Sequence, residues 1–264
     1  MKFKDKVVWI TGGSSGIGEA LAYAFLNEEA KVIISSNMDD ELNRVKENCN
    51  KFEHNCFVMP FDLADTDQIR KTANKVIKEF GSVDILINNG GISQRSLVQE
   101  TPIELDRKIM EINYFGAVAL TKSIIPHMIN KGGGHIVVTS SISGKFGFPL
   151  RSAYSASKHA LHGFFETVRS ELKNQNINVT IICPGRIKTN ISLFALTKDG
   201  TPHGKMDEGL DQGVSVEKCA KKYLLAIKKN KKEVYIGSKE ILMVYIKRFF
   251  PVIFYKIVSK IKPT

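Results

Sequence analysis

The sequence predicts an α/β protein built on a single doubly wound parallel sheet of about seven strands, with helices on both faces. Three observations predict it. Short apolar runs alternate along the chain with stretches of helical period. A glycine-rich turn joins the first such run to the first helix. A length of 264 residues, 43% hydrophobic and 25% charged, suits one globular domain of this class.

In chain order, a charged opening, residues 1–6, leads into a first strand at 7–10 that contains Trp9. The glycine-rich turn follows, and a helix opens near Gly16. Further strands are expected at 32–35, 57–60, 85–88, 136–140, 179–183 and 234–237, each too short an apolar run for a helix. Helical periods fill 39–49, 65–80, 102–130, 154–173 and 215–229 between them. Gly144, Gly147 and Pro149 mark the turn ahead of the helix at 154–173. Residues 186–213 have no clean period and contain Gly200, Pro202, Gly204 and Gly209. Long irregular segments in compact domains are usually functional, so this one is expected to be a mobile flap over a site.

No secretory signal is read at the start, because the apolar region is too short and no small-residue cleavage site follows it. Cys49, Cys56, Cys183 and Cys219 lack CxxC spacing and are expected to be free thiols. His159 and His162 lie a helical turn apart, but no carboxylate motif accompanies them, and no metal is expected. The net charge of +11 is unevenly placed: thirteen basic residues against three acidic ones lie from Gly213 to Thr264, which leaves +1 for the first 212 residues.

Thr11-Gly12-Gly13-Ser14-Ser15-Gly16-Ile17-Gly18 follows a strand and opens a helix. Small residues there let the backbone approach a pyrophosphate, and the helix N-terminus offers free N–H groups and partial positive charge. Tyr154 and Lys158 stand four apart on a helix and share a face. A free tyrosine has a pKa near ~10, too high for a base at neutral pH. A neighbouring ammonium favours the phenolate and moves that value toward the working range.

The spacing G-x-x-x-G-x-G, Asn88-Asn89-Gly90-Gly91 after the fourth strand, and Tyr154-Ser155-Ala156-Ser157-Lys158 together resemble the short-chain dehydrogenase/reductase family, classical type. The resemblance runs from about Lys6 to Gly237. It implies a Rossmann-type fold and hydride transfer between a nicotinamide cofactor and an alcohol or carbonyl compound, with Tyr154 as general acid and base and Lys158 beside it. Ser141, thirteen residues before the tyrosine, matches the serine that bonds the substrate oxygen; on sequence alone Ser140 competes with it. Asn113 matches the asparagine that holds a water next to the lysine. Gly12, Ser14, Ser15, Gly16, Ile17 and Gly18 would meet the cofactor phosphates, Asp62 and Leu63 the adenine, and Asn89 and Gly90 the same cleft. Pro184, Gly185, Ile187 and Thr189 would lie under the nicotinamide. Dimers or tetramers are a further expectation by resemblance.

Cofactor choice in such folds rests on the end of the second strand, where an acid bonds the ribose of NAD. Here Ser36 and Asn37 stand there, with no acid before Asp39. NADP is therefore expected over NAD, although Ser15 and Asn37 both occupy positions where NADP-binding relatives often carry a basic residue.

Residues 1–240 are expected to form the catalytic domain and 241–264 a basic, apolar tail. Cations interrupt that tail before it reaches the ~20 apolar residues needed to span a bilayer. Phe254, Ile257, Val258 and Ile261 fall on one helical face, and Lys256 and Lys260 on another. Two readings stand level: a tail packed on the protein, at the substrate mouth or a dimer interface, and a peripheral membrane anchor. Nucleic-acid binding ranks below both, because the cations are interleaved with bulky aliphatics. A cytoplasmic location follows, with membrane association through the tail as the open alternative. The substrate is expected to be a small alcohol or ketone, apolar if Leu193, Phe194, Leu196, Phe146, Phe148 and Leu150 line its pocket. A non-catalytic nicotinamide sensor is the rival, since fold alone does not fix function.

Overall fold

Successive side chains of a strand point to opposite faces, and the first strand, β1 (Val7–Thr11), uses this to feed two cores. Val8 and Ile10 pack on one side of the sheet, Val7 and Trp9 on the other, and every residue of the strand is buried. A strand covered on both faces reads as one continuous apolar run, as this one does. In the computed structural model, which describes residues 3–258, β1 is an inner strand of a seven-stranded parallel sheet, third from one edge. The other strands are β2 (Lys31–Ser35), β3 (Cys56–Val58), β4 (Ile85–Asn88), β5 (Gly134–Thr139), β6 (Ile177–Pro184) and β7 (Glu233–Ile236), in the spatial order β3-β2-β1-β4-β5-β6-β7. Register is continuous across the centre, with Trp9 opposite Ile33 on one side and Leu86 on the other. The order reverses direction between β1 and β4, and there the loops part to leave a crevice at the carboxyl ends of the strands.

Helices α1 (Gly16–Leu26) and α2 (Asp39–Glu47) pack toward the Val8 face. Three more helices, α3 (Thr66–Phe80), α4 (Ile103–Met110) and α5 (Gly116–Asn130), follow in the chain. With α6 (Ser152–Glu171), α3 and α5 cover the Trp9 face. A short α7 (Glu208–Asp211) precedes α8 (Val216–Lys228), which packs beside α1. The chain ends in α9 (Leu242–Phe249) and α10 (Pro251–Val258). All seven expected strands form, but the expected helix over 102–130 is not one regular helix. A π-helical turn, Glu111–Phe115, interrupts it between α4 and α5. The wide turn accompanies Asn113, whose side chain bonds the backbone of Ile92 across the crevice.

In the tail, Phe254 of the expected apolar face is buried against Phe146, with ring centroids 5.2 Å apart. The exposed apolar side chains are a different set: Leu242, Tyr245, Phe249, Phe250, Val252, Ile253, Tyr255 and, in part, Ile257. Lys260 and Ile261 lie outside the described residues. No described helix is long and apolar enough to cross a membrane. All four cysteines are free and buried.

Candidate active site

A cleft of about 620 Å³ opens over the carboxyl ends of the strands. Its floor is the turn between β1 and α1. Gly12 there has φ +64°, a left-handed conformation costly for other residues, and a Cβ on it would stand 2.7 Å from Cα of Gly90. Asn89 and Gly90 are tied to this turn, since the N–H groups of both donate to Oγ1 of Thr11 at 3.0 Å. Gly18 does not line the cleft. It sits beneath the floor, where a Cβ would fall 2.0 Å from the carbonyl oxygen of Gly12. Its requirement is for close packing between helix and turn.

Gly12, Ser14, Ser15, Gly16 and Ile17 line the cleft, as do Ser36, Asn37, Asp62, Leu63, Asn89 and Gly90. Pro184, Gly185, Ile187 and Thr189 reach it from the far side, together with Ser141, Tyr154 and Lys158. The fold thus brings to one cavity residues spread over more than 170 positions of the chain. Asn113 is the catalytic candidate that does not line it. Buried behind Gly91, it accepts from the N–H of Ile92 at 2.8 Å and donates to the carbonyl of Ile92 and to Oγ of Ser157, both at 3.0 Å. Those bonds commit its side chain to holding the loop after β4 against α6.

Tyr154 stands in the first turn of α6, and Lys158 follows one turn later. The ammonium of Lys158 lies 5.7 Å from the centre of the tyrosine ring and donates to the carbonyl of Thr139 at 2.9 Å. Burial pushes the Lys158 pKa down to about 8. The same burial holds the Tyr154 phenol above its usual value; a hydrogen bond with Ser141 and the guanidinium charges of Arg151 and Arg95 oppose it. Desolvation thus sets the direction of the shift in the chain by itself. Both serine candidates line the cleft: Ser140 donates to the carbonyl of Lys158 and meets Nε2 of His162, each at 3.0 Å, whereas Ser141 donates to the carbonyl of Pro184 at 3.4 Å and accepts from the N–H of Ser143 at 3.1 Å.

Several site residues carry no signal in the sequence. Arg44 of α2 lines the cleft beside Ser36 and Asn37, and its guanidinium donates to the carbonyl of Ser14 at 3.1 Å and to Glu19 and Glu41. Gln94, fully buried, accepts from the N–H groups of Ala153 (2.9 Å) and Tyr154 (3.4 Å), and so caps α6 from the β4 loop. Nothing local announces that contact. Ile112, Ile191, Phe194 and Leu210 add apolar walls. Phe146, Phe148 and Leu150, expected at the pocket, do not line it; Phe146 and Phe148 pack with the tail instead. The segment 186–213 does lie on the cleft, through Ile187, Thr189, Asn190, Ile191, Phe194 and Leu210.

Near β6, His162, Glu166 and Glu233 gather within 4.8 Å of one another; contrary to expectation a carboxylate does accompany His162 in the sequence, since Glu166 stands one helical turn after it. The ammonium of Lys145 stands among them, 3.1 Å from Nδ1 of His162 and 2.9 Å from Glu233, and supplies the positive charge.

Residues 6–198 match the family model described as short chain dehydrogenase. The chain is 41% identical over 260 residues to a dehydrogenase/reductase SDR family protein 7-like of Drosophila melanogaster, covering 97% of this chain and 80% of that one. It is 42% identical over 261 residues to dehydrogenase/reductase SDR family member 7B of Mus musculus, covering 97% and 81%. A short-chain dehydrogenase/reductase from Burkholderia phymatum, solved in complex with NAD, has the same fold at TM-score 0.85 and 21% identity, covering 100% of this chain and 98% of that one. An alcohol dehydrogenase from Thermococcus sibiricus complexed with 5-hydroxy-NADP aligns at TM-score 0.76 and 23% identity, covering 89% and 97%.

Proposed function

The chain belongs to the short-chain dehydrogenase family, and from that premise we propose that it is an NADP-dependent oxidoreductase interconverting a lipophilic alcohol and its carbonyl form, with Tyr154 as general acid and base. One observation carries the reading: Tyr154, Lys158 and Ser141 converge on a single cleft with the glycine-rich floor. The residues fit a dinucleotide. The small residues Gly12, Ser14, Ser15 and Gly16 leave the backbone of the floor open to a phosphate, and the opening helix α1, which has no side-chain cap, offers it free N–H groups. When bound, the nicotinamide supplies or receives the hydride.

The chain's own residues then handle binding and the proton. Ser141 holds the substrate oxygen beside the phenol. Tyr154 gives its proton to that oxygen in reduction and takes it back in oxidation. Lys158, on the same face of α6, supports the phenolate and the ribose end of the cofactor. Asn113 fixes the loop after β4 so that Lys158 keeps its place. Ile191, Phe194 and Leu210 of the flap give the substrate end an apolar wall, which supports a lipophilic substrate.

Arg44 supports NADP over NAD. Its guanidinium meets Ser14 beside Ser36 and Asn37, at the corner where a 2′-phosphate would need a cation. Glu19 and Glu41 share that charge, so the preference is expected to be modest. The apolar outer side of α9 and α10, set in a C-terminal fifth carrying +10, supports peripheral contact with an anionic lipid surface.

The test is a panel of apolar ketones and aldehydes with NADPH, followed by absorbance. Turnover that falls at least about 100-fold in Tyr154→Phe is the expected result. No turnover across the panel, or a Tyr154→Phe variant as fast as the parent, would sink the enzymatic reading.

A further inference from the structure

At the end of β5, two neighbouring residues hold both ends of Lys158. The carbonyl of Thr139 accepts from its ammonium at 2.9 Å, and the hydroxyl of Ser140 donates to its carbonyl at 3.0 Å. That carbonyl lies inside α6, where the helix ladder occupies one lone pair, so Ser140 takes the other. Ser140 is only 2% exposed and Lys158 only 4%, so an unmade bond here is not replaced cheaply by water. Gly144 sits against the same bond. A Cβ there would fall 2.5 Å from Oγ of Ser140 and 2.7 Å from the carbonyl oxygen of Lys158. Its φ is not left-handed, so what calls for glycine at 144 is room for this bond.

The direction of the Ser140 hydroxyl is set from behind. Nε2 of His162 lies 3.0 Å from Oγ of Ser140, and Nδ1 lies 3.1 Å from the ammonium of Lys145. An ammonium has only hydrogens to give, so Nδ1 accepts, and a neutral ring then carries its proton on Nε2. The carboxylates of Glu166 and Glu233 stand 3.7 and 3.8 Å from Nδ1, too far to take a proton from it. Burial, with the charge of Lys145, pushes the His162 pKa down to about 4 and keeps the ring neutral. Nε2–H therefore donates to Ser140, and the hydrogen of Ser140 is left for Lys158. The thiol of Cys183 is farther from Nε2, at 3.7 Å. Lys145 is held by Glu233 at 2.9 Å, and its carbonyl accepts from Lys247 of α9 at 2.6 Å.

We propose that Ser140, His162 and Gly144 are positioning residues for the reaction: the hydrogen-bonded series Lys145–His162–Ser140 fixes the backbone of Lys158, so that its ammonium keeps its place beside Tyr154. The proposal rests on the reading of Tyr154 and Lys158 as the reacting pair. It gives Ser140 a task distinct from that of Ser141.

The experiment has two readouts on the full chain. Nitrogen NMR of the histidine rings at neutral pH, with His162 assigned by its loss in His162→Gln, should show the Nε2–H tautomer. The Nδ1–H tautomer would overturn the proposal. Steady-state kinetics is then run with each variant well below its own melting temperature. Ser140→Ala and His162→Leu should lower kcat about tenfold or more, the scale of a small misplacement of a reacting group, with KM within about twofold. Gly144→Ala, which drives a methyl into the bond, should fall with them. His162→Gln, which keeps an N–H donor near the place of Nε2, should recover most of the lost kcat. A packing role alone would lower the melting temperature and spare kcat. Unchanged kcat in Ser140→Ala, or equal losses in His162→Gln and His162→Leu, overturns the proposal. Activity of the parent and its loss in Tyr154→Phe are established first, so a failure of the reaction reading is seen separately, and the ring tautomer needs no turnover.

Discussion

At the corner of the cleft next to β2, one guanidinium carries the local charge balance. Arg44 meets Ser14 through its carbonyl, and Glu19 and Glu41 through their carboxylates. Exposed ion pairs contribute little to stability, and the Arg44 side chain is 40% exposed, so its significance lies in what it offers a ligand. Replacing Arg44 with Gln should weaken NADPH binding about tenfold, the loss of one charge-assisted contact, while NADH changes less than about threefold. Fluorescence titration of both reduced cofactors on parent and variant reads this out, and tighter binding of NADH by the parent would reverse the proposed preference. Tyr154 and Lys158 were legible in the sequence because four-residue spacing on a helix puts two side chains on one face whatever surrounds them. Arg44 was not, because only the packing of α2 against the β1 turn decides which cation meets Ser14.

Helix α6 shows how one element depends on a partner that its own sequence does not contain. Arg151, at its N-terminal boundary, makes no capping bond with its side chain, so the first N–H groups need an acceptor from elsewhere. Gln94 provides it, and its amide nitrogen is spent on Ser96, Thr101 and Ser152 at 3.0–3.2 Å. Gln94→Leu keeps the volume roughly but leaves the buried N–H of Ala153 without its acceptor, and is expected to cost about 1–3 kcal/mol. Because the cap sits on the turn that carries Tyr154, kcat should fall more than KM rises. Denaturant unfolding with steady-state kinetics checks both, and a variant as stable as the parent would show that the cap is dispensable. The π turn that splits the expected long helix has the same origin. Asn113 bonds across the crevice to Ile92, a contact between α4–α5 and the β4 loop that periodicity along one helix does not reveal.

For the molecule as a whole, the two ends of the chain's charge distribution meet different surroundings. The first 212 residues are nearly neutral, while the last fifth holds +10 and displays its aromatic and aliphatic side chains outward from α9 and α10. Phe254 anchors this tail on Phe146, next to the loop that leads into α6. Deleting residues 247–264 should release the protein from vesicles containing phosphatidylserine, and high salt should do so in part, as screening weakens the attraction. An unchanged split between pellet and supernatant would remove lipid contact from the account. The alternation of apolar runs and helical periods determined the α/β class and the strand count, because both depend on local period, while the cleft's main lining was legible through the resemblance of its motifs to a known family. Only the tertiary structure decided the rest: where the pre-helix phenylalanines go, which cation meets Ser14, and what caps the helix that carries Tyr154. Those outcomes are set by contacts between residues far apart in the chain, such as Gln94 with Ala153, and by burial, neither of which leaves a period in the chain.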